Sequence, residues 1–152
     1  MISLGVILRR RRQFADAEKV YRETLRIQSR VLGPEHPDTL VLRDNLATAL
    51  AKQARYQEAE GLYRETRSIQ QRVFGPEHPY TANSTYNLAC LAAVQGHRNE
   101  ALLLLDQAVG LAANVALSME RDEDLKSLYR DPRFIALVSR AKKNDGVTPK
   151  EN

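Results

Sequence analysis

Residues 14–37, FADAEKVYRETLRIQSRVLGPEHP, return without a gap as YQEAEGLYRETRSIQQRVFGPEHP at 56–79. The run NLATALAKQA at 45–54 likewise returns as NLACLAAVQG at 87–96. About half of the positions across this 42-residue period are identical. A chain that repeats itself at such a period builds one small unit several times over. Each unit can bury its apolar face only against its neighbours. Looser copies flank the two clear ones. RNEALLLLDQAVGLA at 98–112 keeps Ala101, Leu105 and Ala108 in the places of Ala59, Tyr63 and Thr66. Near the start, Leu4-Gly5 stands where later copies have Leu46-Ala47 and Leu88-Ala89.

Each period reads as two helices. Phe14, Ala17, Val20, Tyr21, Thr24, Ile27 and Val31 recur at steps of three or four residues, which makes an amphipathic stripe on the second helix. The first helix carries Leu42, Leu46, Ala47 and Leu50, and Ala47 is small enough for a neighbouring helix to come close. A composition poor in aromatics, without Trp, and rich in Ala, Leu, Arg and Glu favours helix over sheet. The Gly-Pro-Glu-His-Pro loop then admits two readings. As chemistry, its His and Glu side chains would form a metal or acid–base site. As architecture, Gly33 and Gly75 end a helix in the left-handed conformation, and Pro34 and Pro76 block its continuation. Pro37 and Pro79 suit the first turn of the helix that follows. Each loop offers one His beside one Glu, a whole repeat from the next, whereas zinc wants three or four converging ligands. The loop is therefore read as a connector, with no metal.

The Leu-Ala pair of the first helix, Ala17, Ala59 and Ala101 in the second, and the aromatic at Tyr21 and Tyr63 resemble the tetratricopeptide repeat. The period and the LGPEHPDT connector resemble the long variant found in kinesin light chains and many bacterial proteins. The resemblance covers roughly residues 1–115. It implies an all-α fold: a right-handed superhelix of antiparallel helix pairs, its concave groove lined mainly by the first helices. The expected organisation is a solenoid over 1–118, with units at about 1–36, 37–78 and 79–118 and the first one truncated. ERDEDLKSLYRDPRFIALVSRAKK at 120–143 follows, in which Asp131-Pro132 opens a helix with an apolar face of Phe134, Ile135, Leu137 and Val138. This segment resembles the closing part of bacterial tetratricopeptide arrays, often those at the C-terminus of serine/threonine kinases. It is expected to cap the last repeat over 119–143, and the polar stretch 144–152 is expected to be disordered. At the other end Met1 falls inside what should already be a helix, so Leu4, Ile7 and Leu8 are expected to lie uncovered and to form a face for self-association or for upstream repeats.

No catalytic constellation is present in the sequence. It has no Gly-rich phosphate loop, no Gly-x-Ser-x-Gly, no His-Glu-x-x-His and none of the kinase signature motifs. Cys90 and His97 lie seven positions apart, mid-helix and helix end, and cannot form a nucleophile–base pair. An enzyme and a cofactor are therefore not expected. The net charge of +4 is accounted for by the run Arg9-Arg10-Arg11-Arg12 alone, and no aromatics interleave with it to stack bases. Nucleic acid is not an expected partner, and the run reads as a solvated helix end that complements the helix dipole. The apolar runs are too short for a membrane span, and the first of them precedes its charges, the reverse of a secretory signal. Cys90 as the one cysteine fits a reducing, cytoplasmic setting.

What remains is binding. In peptide-gripping members of the resembled family, an Asn just before the Leu-Ala pair often bonds the ligand backbone from the groove floor. Asn45 and Asn87 occupy that place here, and an amide can both donate to and accept from an extended chain. Specificity would come from neighbours on the same faces: Val41, Asp44, Thr48 and Lys52 in one unit, Asn83, Tyr86, Cys90 and Val94 in the next. These are mostly neutral, unlike the Lys and Arg of members that clamp a terminal carboxylate, although Lys52 with Arg9 and Arg10 could attract an acidic segment. The expected function is a non-catalytic module that binds a protein or peptide segment in its groove. The alternatives are homo-oligomerisation through the N-terminal face, giving a homodimer, or a regulatory or scaffold region of a larger bacterial protein such as a kinase.

Overall fold

The computed structural model describes residues 2–111 and 118–144. The described residues form helices and turns without a strand. In chain order the helices are α1 (Ile2–Arg10), α2 (Phe14–Val31), α3 (Pro37–Ala51), α4 (Tyr56–Phe74), α5 (Pro79–Val94) and α6 (Arg98–Leu111). A 3-10 helix (Glu123–Leu128) and α7 (Pro132–Asn144) follow. Since α7 runs through Asn144, the remainder of the expected disordered tail, 145–152, lies outside the described residues. The contacts divide the chain into two compact units, up to Val73 and from Phe74 onward.

The connectors show why the Gly-Pro-Glu-His-Pro loop recurs. Gly33 and Gly75 take φ of 100° and 98°, the left-handed conformation that releases the backbone from α2 and α4. His36 and His78 are the N-caps of α3 and α5: each Nδ1 accepts the backbone N–H two residues on, from Asp38 and Tyr80, at 3.2 Å. Pro37 and Pro79 then open their helices, where a missing N–H costs nothing. Every residue of the loop except the Glu is accounted for by helix termination or initiation. Glu35 pairs with Arg72.

In the first unit α2 packs against both α1 and α3. Ala17, Tyr21, Leu40, Leu42, Ala47 and Ala59 are fully buried there. Gly5 lies directly against the Tyr21 ring, and a Cβ at Gly5 would sit 2.3 Å from Tyr21 Cε1, so α1 can approach only with glycine at that place. A buried carboxylate also fixes this unit. Glu18 accepts hydrogen bonds from Arg22, Gln53 and Arg55, and Arg55 reaches on to Glu58.

The second unit has one apolar core. Ala89, Ala92 and Ala93 of α5 meet Ala101, Leu105 and Ala108 of α6, with Met119, Leu125 and Leu128. On α7 the residues that enter this core are Phe134, Leu137, Val138 and Ala141, which follow the i, i+3, i+4, i+7 spacing. Ile135, expected on the same apolar face, is 53% exposed because it falls outside that spacing. Asp131 precedes α7, and its carboxylate accepts from the backbone N–H and guanidinium of Arg133 while also pairing with Arg98.

Candidate functional site

The exposed faces of α3 and α5 differ in what they leave accessible. On α3, Asn45 is half-buried, and its amide forms no hydrogen bond to any described residue. Val41 is half-buried and Lys52 exposed. Asp44 and Thr48, assigned to the ligand by their spacing, are instead engaged with α4. Asp44 is only 6% exposed, and its Oδ2 accepts from Gln70 at 3.3 Å. Thr48 Oγ1 donates to the Asp44 carbonyl at 2.9 Å and lies 2.7 Å from the Tyr63 hydroxyl, which donates to it. Arg43 donates to Thr66 Oγ1 at 3.2 Å and pairs with Glu65 at 2.6 Å. This inner ladder was missed by sequence reasoning. Its signal was the polar set Tyr63, Thr66 and Gln70 at helical spacing on an otherwise apolar stripe.

On α5, Asn83 is exposed, and Asn87 is half-buried with an amide as unbonded as that of Asn45. Tyr86 and Cys90 are buried and do not present a surface to a ligand. Asp122, at the start of the 3-10 helix, reaches both. Asp122 Oδ2 accepts from the Tyr86 hydroxyl at 2.7 Å and from Cys90 Sγ at 3.6 Å. Its Oδ1 accepts from the Asp124 N–H at 3.0 Å, which makes Asp122 the N-cap of the 3-10 helix, and Tyr129 Oη donates to its carbonyl at 2.7 Å. Tyr86 and Cys90 thus serve the chain's own closing segment, a correction to their assignment as groove residues. One period earlier the same places hold Asp44 and Thr48.

Burial, reinforced by Asp122, holds both the Cys90 thiol and the Tyr86 phenol well above their ordinary pKa values. Cys90 is therefore a protonated, packed thiol and no nucleophile. His97 is exposed and pairs with Glu100 at 3.7 Å. Among the described residues no three His, Cys, Asp or Glu side chains are placed to hold a metal ion, and no helix is long and apolar enough to cross a membrane.

Two features of α1 and the turn after it complete the surface. Leu4 and Ile7 are 50% and 48% exposed, and Leu8 is half-buried. Arg10, Arg11 and Arg12 are exposed and Arg9 half-buried.

A family model described as Tetratricopeptide repeat matches residues 1–71 and 42–114. None of the curated proteins compared with the chain matches it. Among solved structures, kinesin light chain nearly identical TPR-like repeats from Podosopora anserina match 99% of this chain and 75% of their own, with a TM-score of 0.76 at 23% identity. BtubC (BKLC) from P. vanneervenii matches 98% of this chain at 21% identity with a TM-score of 0.72, and this chain spans 65% of it. A second crystal structure of the Podosopora anserina repeats, of a point variant, matches 95% of this chain and 84% of its own, at 23% identity and a TM-score of 0.65. These likenesses show an all-α helical-repeat fold of the kinesin-light-chain-like type.

Proposed function

The chain belongs to the tetratricopeptide repeat family, whose repeats mediate protein–protein interaction and are typically non-catalytic scaffolds, and from that premise we propose that it binds extended polypeptide, each clear repeat offering the first helix that carries its Asn. One observation carries the reading. Asn45 and Asn87 recur one period apart at the same place of α3 and α5, and both amides are accessible and unbonded within the described chain. Their polar neighbours Asp44, Thr48, Tyr86 and Cys90 are all committed elsewhere. A half-buried amide that folding does not use retains both donors and an acceptor for a peptide backbone, whatever side chains that peptide carries. Val41 on α3 and Asn83 on α5 flank the amides and would contact the ligand's side chains. In this reading the chain performs no chemistry on its ligand.

Panning a random peptide display library on the full chain tests this. Enriched peptides are re-measured by calorimetry against Asn45→Ala, Asn87→Ala and the double variant. Each substitution is expected to weaken binding about tenfold, the worth of one buried hydrogen bond or slightly more, with melting temperature unchanged. Peptides that bind the double variant as tightly as the wild type would refute the reading.

The exposure of Leu4 and Ile7 supports a second reading, self-association through α1. Light scattering over a concentration series, with wild type and Ile7→Glu, separates the two. A wild-type dimer that becomes a folded monomer in the variant would establish it.

A further inference from the structure

We infer that the α1–α2 turn, Arg9–Arg12, is a docking point for an acidic stretch of polypeptide. The inference rests on the reading of the chain as a polypeptide-binding module and adds the chemistry of one of its ligands. Three turns of the chain share one backbone. Arg12 N donates to Arg9 O at 2.9 Å, Ala54 N to Ala51 O at 3.0 Å, and Gly96 N to Ala93 O at 3.1 Å. In each, the residue two before the next helix is left-handed, with φ of 61°, 60° and 81°. The side chains in these equivalent places are Arg-Arg-Arg-Arg, Ala-Lys-Gln-Ala and Ala-Val-Gln-Gly. The turn therefore needs no arginine. It is made worse by them, because Arg12 takes a conformation that suits glycine and four like charges are adjacent.

Nor does folding pair these charges with carboxylates. Many arginines elsewhere meet carboxylates: Arg43 meets Glu65, Arg55 meets Glu18 and Glu58, Arg72 meets Glu35, and Arg140 meets Asp106. Arg26, Arg30, Arg67, Arg121 and Arg130 are unpaired among the described residues but stand singly, not as a run of four. Arg9, Arg10, Arg11 and Arg12 form no ion pair with any described residue. One cation in the last turn of α1 would answer the helix dipole, and α3 and α5 end with none. The surplus is a run of fork-shaped donors, Arg10, Arg11 and Arg12 exposed and Arg9 half-buried, suited to several carboxylates at once. Polypeptide is favoured over nucleic acid because the rings of the adjoining α2, Phe14 and Tyr21, are half-buried and fully buried and offer no platform for bases. Four cations also match a short run of Asp and Glu better than the long phosphate track of a nucleic-acid site.

The test transplants the neighbouring turn: Arg9→Ala, Arg10→Lys, Arg11→Gln and Arg12→Ala, which writes the 51–54 sequence into the same backbone. Probes are a labelled 12-residue peptide alternating Glu and Ser, its Gln counterpart and a single-stranded oligonucleotide of equal charge, read by fluorescence anisotropy at low and high salt. The acidic peptide is expected to bind wild type and to lose at least tenfold in affinity in the variant, which keeps its melting temperature. The Gln peptide is expected not to bind. Equal binding by the variant, no binding of the acidic peptide to wild type at low salt, or tighter binding of the oligonucleotide each overturns the inference. Failure here is distinguishable from failure of the groove reading. The double Asn45→Ala, Asn87→Ala variant reports on library-selected peptides, whereas the turn variant reports on the acidic probe.

Discussion

The repeat supplies its own control for the value of a buried hydroxyl pair. On α4 the Tyr63 hydroxyl is bonded to Thr48 at 2.7 Å. One period earlier Tyr21 occupies the same place on α2, but the residue matching Thr48 is Val6. Tyr21 is fully buried, and its hydroxyl has no partner among the described residues. Val6→Thr should supply one. An unsatisfied buried hydroxyl costs about 1–3 kcal/mol, and pairing it recovers a large part of that. Against this stands the loss of a half-buried methyl, about 0.4–0.8 kcal/mol, while Val and Thr scarcely differ in helix propensity. The expected net is a stabilisation of about 1 kcal/mol, or a rise of about 2–4 °C in melting temperature for a chain of this size. The assay is urea unfolding followed by circular dichroism for wild type, Val6→Thr, Tyr21→Phe and the double variant. Tyr21→Phe alone should be neutral or stabilising, whereas Tyr63→Phe should cost about 1 kcal/mol. The cycle should show a coupling of about 1 kcal/mol or more between positions 6 and 21. A Val6→Thr effect of the same size and sign with Phe at 21 as with Tyr would refute the reasoning.

Asp122→Ala strands the Tyr86 hydroxyl and removes an N-cap, so it should destabilise by about 2–3 kcal/mol. It should also speed the reaction of Cys90 with a thiol reagent; unchanged denaturation and reactivity would show that the closing segment does not depend on that carboxylate. Ala54→Gly relieves a left-handed alanine and should stabilise by about 0.5–1 kcal/mol, the strain relieved exceeding the added freedom of the unfolded chain. For Glu18, burial pushes the pKa up, but the bonds from Gln53, Arg22 and Arg55 outweigh it and leave the carboxyl lowered. A lowered pKa in the folded state adds stability above the ordinary carboxylate range, and that stability is lost as pH falls through and below it. Glu18→Gln should therefore lower stability at neutral pH and flatten its acid dependence; an unchanged slope between neutral pH and acid would contradict this.

The parts of the fold written by local chemistry were readable from residues alone. Gly33 and Gly75 had to turn left-handed and Pro37 and Pro79 had to start helices, because few other conformations are open to them. The stripe of Ala17, Tyr21 and Thr24 had to face inward, because its period admits one burial direction. Position on a helix was less informative where the partner came from outside the period. Tyr86 and Cys90 sit at places that read as groove, yet their partner Asp122 lies over thirty residues on, in a segment with no counterpart in the repeat. Asp44 and Thr48 are a different case. Polar side chains on an exposed-looking face read as ligand contacts, but Tyr63 and Gln70 of α4 bond to them in the folded chain. Ile135 read as core from hydrophobicity, but the spacing set by Phe134, Leu137 and Val138 leaves it outside.

The shared connector governs how such a chain can change length. His36-Pro37 and His78-Pro79 cap successive helices with the same atoms, so recombination at either joint can add or delete a whole 42-residue unit with every cap restored. The closing segment has no such freedom. A helix that brought Asp44 and Thr48 to the places of Tyr86 and Cys90 would set a carboxylate against Asp122. The repeat that carries Tyr86 and Cys90 is thus the one that cannot be exchanged for its sibling without losing the partners of Asp122.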